Sequence, residues 1–128
     1  MKRYRLRKNR SLLITKAALT GPQGTKILNL LIDTGSTYTI VPTEALEATG
    51  CSPAESKEHI RIITGSGTIL APLVKLSKFE CLGRKMKGFK ILAHTLPPES
   101  AVDGLLGMDF LRKHKARIDT YEEWIEIH

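Results

Sequence analysis

The sequence has 128 residues, of which 41% are hydrophobic and 26% charged, and twenty Lys and Arg against thirteen Asp and Glu give a net charge of +7. That length fits a single domain with its own core; no apolar run approaches the roughly 20 residues of a membrane-spanning helix, and two scattered cysteines do not make a disulfide scaffold. The excess charge is local: Lys2, Arg3, Arg5, Arg7, Lys8 and Arg10 share a stretch without acids, which leaves fourteen basic side chains against thirteen acidic ones elsewhere.

Residues 1–11 therefore read as a basic N-terminal arm ahead of one domain over residues 12–128. An arm spanning Lys2 to Arg10 would suit nucleic acid or an acidic partner. With Tyr4 as its only aromatic it lacks a base-stacking platform, and it reads instead as a solvated or partly disordered tail. Ser11–Leu19 imitates the apolar core of a secretory leader, but it is short, interrupted by Lys16 and without a small-x-small cleavage site. A cytoplasmic protein is expected, with Cys51 and Cys81 as reduced, inert thiols and no membrane association. His59, His94, His114 and His128 lie far apart with no metal-ligand spacing, so neither a metal nor any other cofactor is expected.

The chain then reads mostly as short strands. Leu12–Leu19 and Lys26–Ile32 flank the turn signal Gly21-Pro22-Gln23-Gly24 and form a hairpin that delivers Asp33 at its end. Tyr38–Val41 is β-rich and Pro42 stops it. Thr43–Ala48 reads as a helical turn capped by Thr43 and closed by Gly50, and Ser52–Lys57 as a loop. His59–Ile63 and Thr68–Leu76 form a second hairpin around Thr64-Gly65-Ser66-Gly67. Cys81–Lys85 is a turn and Met86–Leu96 a further strand. Pro97–Ala101 is a loop, Asp109–Lys115 a helix with Leu111 inward and basic residues in its last turn. Ala116–Thr120 and Trp124–Ile127 close the chain as strands around Tyr121-Glu122-Glu123. About eight short strands and one or two short helices predict a mostly β, small, closed or barrel-like domain.

Three stretches call for chemistry. In "LLIDTGSTYTIVP" the polar tetrad Asp33-Thr34-Gly35-Ser36 interrupts an apolar run. A carboxylate there is costly unless it is hydrogen-bonded, and Gly35 lets the backbone curl around it while Thr34 and Ser36 offer hydroxyls. Such an arrangement suits an acid held for proton transfer; it also suits a plain turn in which Asp33 caps local amides. Gly65-Ser66-Gly67 lacks the lysine of a phosphate-binding loop and fits either a β-turn or a lid over a cleft. Gly104-Leu105-Leu106-Gly107 suggests a buried strand passing closely against another backbone.

Taken in order, these stretches resemble the retropepsin-like, retroviral-type aspartic proteases, in the manner of their single-domain cellular and bacterial forms. "LLIDTGS" is similar to the catalytic loop, "IRIITGSGTIL" to the flap hairpin, and "GLLGMDFL" to the segment and helix that brace the loop, so the likeness covers residues 12 to 127. It implies a small barrel-like acid protease domain, active as a homodimer on peptide or protein substrates. It further implies that Asp33 is the catalytic carboxylate, that Thr34 bonds across the subunit boundary, that Gly35 presents its backbone near the attacking water, and that Ser36 bonds the outer oxygen of Asp33. Thr64, Gly65, Ser66, Gly67 and Thr68 would be the flap over the substrate, and Leu106 and Gly107 structural supports. The flap departs from the family in carrying one Gly-x-Gly, which would stiffen it, and it lacks the tyrosine of pepsin-like flaps.

Aspartic-protease chemistry needs two carboxylates sharing a proton, and the chain has one Asp-Thr-Gly. Asp103-Gly104 lacks the hydroxyl and Asp119-Thr120-Tyr121 the glycine, so an active enzyme would place Asp33 of each copy on a two-fold axis. Ile62, Ile69 and Leu92 are expected at the substrate pocket, and activity at mildly acidic pH. The alternative is a catalytically inactive dimeric binding or adaptor module on the same fold, whose basic arm contacts nucleic acid or an acidic partner.

Overall fold

Period-two burial and glycine turns set the architecture. The computed structural model describes residues 1–9, 12–65 and 67–128, so Arg10 and Ser11 of the arm and Ser66 of the second hairpin lie outside the described residues. The chain opens with two strands where a tail is expected. These are β1 (Lys2–Arg5) and β2 (Arg7–Asn9), and β2 pairs antiparallel with β3 (Leu12–Gly21). The solvated-tail reading of residues 2–9 is therefore corrected. Its physical reason is the alternation Arg3-Tyr4-Arg5-Leu6, which turns Tyr4 and Leu6 inward and leaves Leu6 buried and Tyr4 half-buried.

β3 pairs with β4 (Gly24–Ile32) from Ile14↔Leu31 to Gly21↔Gly24, and the turn between them packs on the first helix through Gln23 N–H to the Thr49 carbonyl at 2.8 Å. A short β5 (Ile40–Val41) leads into α1 (Thr43–Thr49), whose N-cap is Pro42 rather than Thr43 and whose end is Gly50 in the left-handed region at φ +88. Pro53–Glu55 forms a 3-10 turn within the expected loop. The second hairpin is β6 (Glu58–Thr64) and β7 (Gly67–Lys75). Beyond it, the single strand expected over Met86–Leu96 is divided between the end of one strand and a second one. β8 (Lys78–Cys81) and β9 (Arg84–Lys87) form a hairpin turned at Leu82-Gly83; Gly88, at φ +66, then breaks the run, and β10 (Lys90–Ala93) follows. β11 (Gly104–Leu106), α2 (Met108–Lys113), β12 (Arg117–Asp119) and β13 (Trp124–Ile127) complete the fold.

Nine strands run in the order β6-β7-β10-β5-β11-β4-β3-β8-β9, with β2 alongside β3, as one ten-stranded sheet curled into a half-barrel. Near its middle β10–β5 and β11–β4 are parallel, with the antiparallel pair β5–β11 between them, and the outer pairs are antiparallel. A separate three-stranded sheet has the order β1-β13-β12. The main core gathers Leu19, Leu30, Leu46, Phe79, Phe110 and Ile125, with Phe79 edge-on to Phe110 at 5.9 Å. A smaller cluster of Ile40, Ala71, Leu73 and Leu92 lies under the second hairpin.

Candidate active site

β4 ends at Ile32, and the chain immediately folds back on itself. Asp33 N–H donates to the Leu106 carbonyl at 3.0 Å, and Ser36 N–H donates to the Asp33 carbonyl at 3.2 Å, closing a tight turn. Within that turn Gly35 N–H donates to Asp33 Oδ1 at 2.8 Å. A Cβ on Gly35 would stand 3.2 Å from the same oxygen, so the small residue keeps the carboxylate approachable. Asp33 is half-buried and Thr34 exposed. Thr34 borders a hollow of about 280 Å³ whose wall includes Met108, Leu111, Arg112 and Ile118. The Ser36 hydroxyl does not reach the carboxylate in this structure: it donates to the Tyr38 carbonyl at 2.6 Å, because the turn points it along the outgoing chain. That contact stiffens the turn.

β11 and α2 brace this loop from behind. Leu106 is fully buried. A Cβ on Gly104 would overlap the Ile40 carbonyl, and one on Gly107 the Tyr38 carbonyl, which is the close backbone passage expected of this stretch. Met108 N–H donates to Ser36 and Asp109 N–H to Thr37, at 2.8 and 3.1 Å. Sequence reasoning missed the knot that joins them. Thr39, with 0% exposure, gives its N–H and hydroxyl to the two oxygens of Asp109 at 2.9 and 2.7 Å and accepts Gly107 N–H at 3.1 Å. Asp109 also accepts Phe110 N–H at 2.8 Å. An acid in the first turn of α2 was the available signal, but its partner is seventy residues away in sequence.

In front of Asp33 lies a cleft of about 820 Å³. Its floor is Asp33, Gly35 and Ser36; Tyr38, Ile40, Leu92, His94 and Leu105 build one side, and Arg61, Ile62, Ile63, Thr64, Gly65 and Ile69 of the second hairpin the other. Ile62, Ile69 and Leu92, expected at the pocket, all lie on its wall. Gly67 and Thr68 follow on the returning strand, exposed and outside the wall. The Thr64 hydroxyl donates to the Gly67 carbonyl at 3.0 Å, tying the tip. Ser66 is outside the described residues. Away from the cleft, burial pushes the Cys81 thiol up to about 12, so it stays protonated and unreactive. Among the described residues no three His, Cys, Asp or Glu side chains come together as a metal-binding group, and no helix is long and apolar enough to cross a membrane.

Comparison with known proteins follows these elements. The family model described as "Aspartyl protease" matches residues 18–110, a span that contains the Asp33 loop, the second hairpin and the Gly107–Asp109 brace. No curated protein matches the chain. Among solved structures, a retropepsin-like aspartic protease from Rickettsia conorii superposes with a TM-score of 0.67 at 21% identity, covering 97% of this chain and 88% of the other. The retroviral protease-like domain of Ddi1 from Leishmania major does so with a TM-score of 0.61 at 16% identity, over 93% and 90% of the two chains. At those identities the likeness concerns the fold, and it agrees with the curled half-barrel described above. With the matched span running from the strand before the Asp33 turn to the helix that braces it, the chain belongs to the aspartyl protease family, and its fold is retropepsin-like.

Proposed function

We propose that the protein is an aspartic endopeptidase and that Asp33 from each of two copies forms its catalytic pair. The observation that carries this reading is the fate of the four aspartates. Only Asp33 faces the cleft. Asp103 accepts Asn29 N–H at 2.8 Å and returns its own N–H to the Asn29 carbonyl at 2.9 Å. Asp109 is tied up by Thr39 and Phe110, and Asp119 caps Tyr121 and Glu122 N–H groups at 3.1 and 2.8 Å. The second carboxylate has to come from another copy. Exposed Thr34, beside a hollow whose wall mixes Met108, Leu111 and Ile118 with Arg112 and Lys115, supports an approach on that side, where the two loops would meet across the two-fold axis.

In such a pair one carboxylate is ionised and takes a proton from water, while the other, protonated, donates to the carbonyl oxygen of the scissile bond. The two titrate together. The Gly35 N–H on Asp33 Oδ1 holds the first group in place. The peptide would lie extended under Thr64 and Gly65, bonded through its main chain to the hairpin, with apolar side chains against Ile62, Ile69 and Leu92.

The test is peptide cleavage alongside oligomeric state for wild type and Asp33→Asn. Cleavage should fall by at least about a hundredfold with dimerisation retained. Excess Asp33→Asn mixed into wild type should poison it, because mixed dimers hold one competent carboxylate. Full activity in purified Asp33→Ala would overturn the proposal. Dimers of both forms that cleave nothing would favour the binding-module reading.

A further inference from the structure

The side of the cleft built by β10 and the chain after it is apolar except at His94. Ile91 and Ala93 turn into the main core, and Leu92 turns the other way, into the smaller cluster under the second hairpin. The chain stays extended past the end of β10: Leu92 N–H donates to the Thr39 carbonyl and His94 N–H to the Val41 carbonyl, each at 2.9 Å. Alternation therefore sets His94 on the Leu92 side, and Leu92, His94 and Leu96 all stand in the cleft wall. Thr95 between them faces α1, where its hydroxyl donates to Glu44 Oε2 at 2.8 Å and accepts Thr43 N–H at 3.3 Å. Because β10 lies between β5 and β7, the imidazole stands where the floor meets the hairpin, in the wall that also holds Ile40, Ile62 and Ile69. It is half-buried, and its ring makes no hydrogen bond or ion pair with a described residue.

We infer that His94 is a specificity residue that hydrogen-bonds a substrate side chain carrying an acceptor oxygen, so that an amide or carboxylate is favoured at one position of an otherwise apolar site. This rests on the endopeptidase reading. A bound peptide displaces water from the cleft, and an apolar side chain set against the imidazole would leave its N–H unpaired. An amide or carboxylate oxygen at that point restores the bond, because the ring offers a donor in either protonation state. Sites holding a polar group that needs a partner reject the substrate that lacks one. An extended peptide turns every second side chain to the same wall, so the demand falls on one position and spares its neighbours.

The experiment uses peptides paired as Asn or Leu, and as Gln or Met, at each position flanking an apolar cleavage site, the members of a pair having nearly the same shape. At one position wild type should cleave the amide member about three- to tenfold faster in kcat/KM, and at the others the apolar member should win. His94→Leu should reverse that one preference and leave the others as they were, while His94→Gln, which keeps a donor, should retain its direction. No amide preference at any position of wild type overturns the inference, and so does one that survives His94→Leu. Binding of the same peptides, fluorescently labelled, to Asp33→Asn and to the Asp33→Asn, His94→Leu double variant separates the two claims. Amide-selective binding that needs His94, with no cleavage by wild type, would leave the subsite standing and sink the peptidase. Cleavage without such selectivity would do the reverse.

Discussion

The two arms of the cleft are built to opposite specifications. The Asp33 turn is tied to β11, to α2 and to Thr39 by backbone and buried side-chain bonds, with Asp109 at their centre. The facing hairpin is held through its own ladder, with the Thr64 hydroxyl on the Gly67 carbonyl near the tip. Ile63 there is 87% exposed and Leu70 63%, and side chains added at Gly65 or Gly67 would meet nothing within 4 Å. The base of the hairpin is better anchored, by the Ser56 hydroxyl on the Leu73 carbonyl and by the Lys90–Glu58 pair. Proton transfer needs a fixed acid, whereas admitting an extended chain needs a cover with few contacts to break.

Substitutions should therefore separate stability from substrate handling according to the arm they strike. The largest loss is expected for Gly107→Ala, whose methyl group would overlap the Tyr38 carbonyl; urea unfolding should show a destabilisation of about 3 kcal/mol. Thr39→Val keeps the volume but strips a partner from the half-buried Asp109 carboxylate and from the buried Gly107 N–H. It should cost about 1–3 kcal/mol and lower kcat as the Asp33 turn loosens. A wild-type unfolding midpoint in Thr39→Val would mean the brace is not the rigid arm. On the other side, Ile63→Ser should leave unfolding within about 0.5 kcal/mol while raising KM for peptides; a clear drop in stability would show that the hairpin tip is packed after all.

The smallest effect concerns the far end of the brace. Burial, then the charges of Arg84 and Lys113, holds the His114 imidazole below its ordinary value of 6.5, where it stacks on Phe110 at 4.5 Å and meets Met86 Sδ at 3.5 Å. The unfolded chain then takes the proton first as pH falls, so this contribution is complete above about pH 6.5 and is lost below it. His114→Gln should remove it. The stability advantage of wild type over the variant should shrink between about pH 7 and pH 5 in denaturant titrations, and parallel curves would exclude His114 as the source.

Much of this arrangement was legible in the sequence where a residue type leaves the chain few choices. Gly21-Pro22-Gln23-Gly24 allowed little but a hairpin, and Gly104 and Gly107 announced close backbone passages that the Ile40 and Tyr38 carbonyls now explain. The family likeness rested on the same stretches. What escaped was either masked or non-local. In the basic segment, charge hid the alternation of Tyr4 and Leu6. In Met86–Leu96 the apolar and basic residues continue through Gly88, so the break shows only in its positive φ. The partners of Ser36 and Asp109 depend on how separate strands meet, which no local pattern encodes.

The pairing of β1 with β13 has a consequence for how the molecule is made. Lys2 lies opposite Ile127 and Arg5 opposite Trp124, the widest separation in sequence of any strand pairing among the described residues. Contacts of that span form late, because the whole intervening loop must first be closed. During synthesis residues 2–5 leave the ribosome long before residues 124–127 exist. β1 must then wait, cationic and without its neighbour, until β13 arrives.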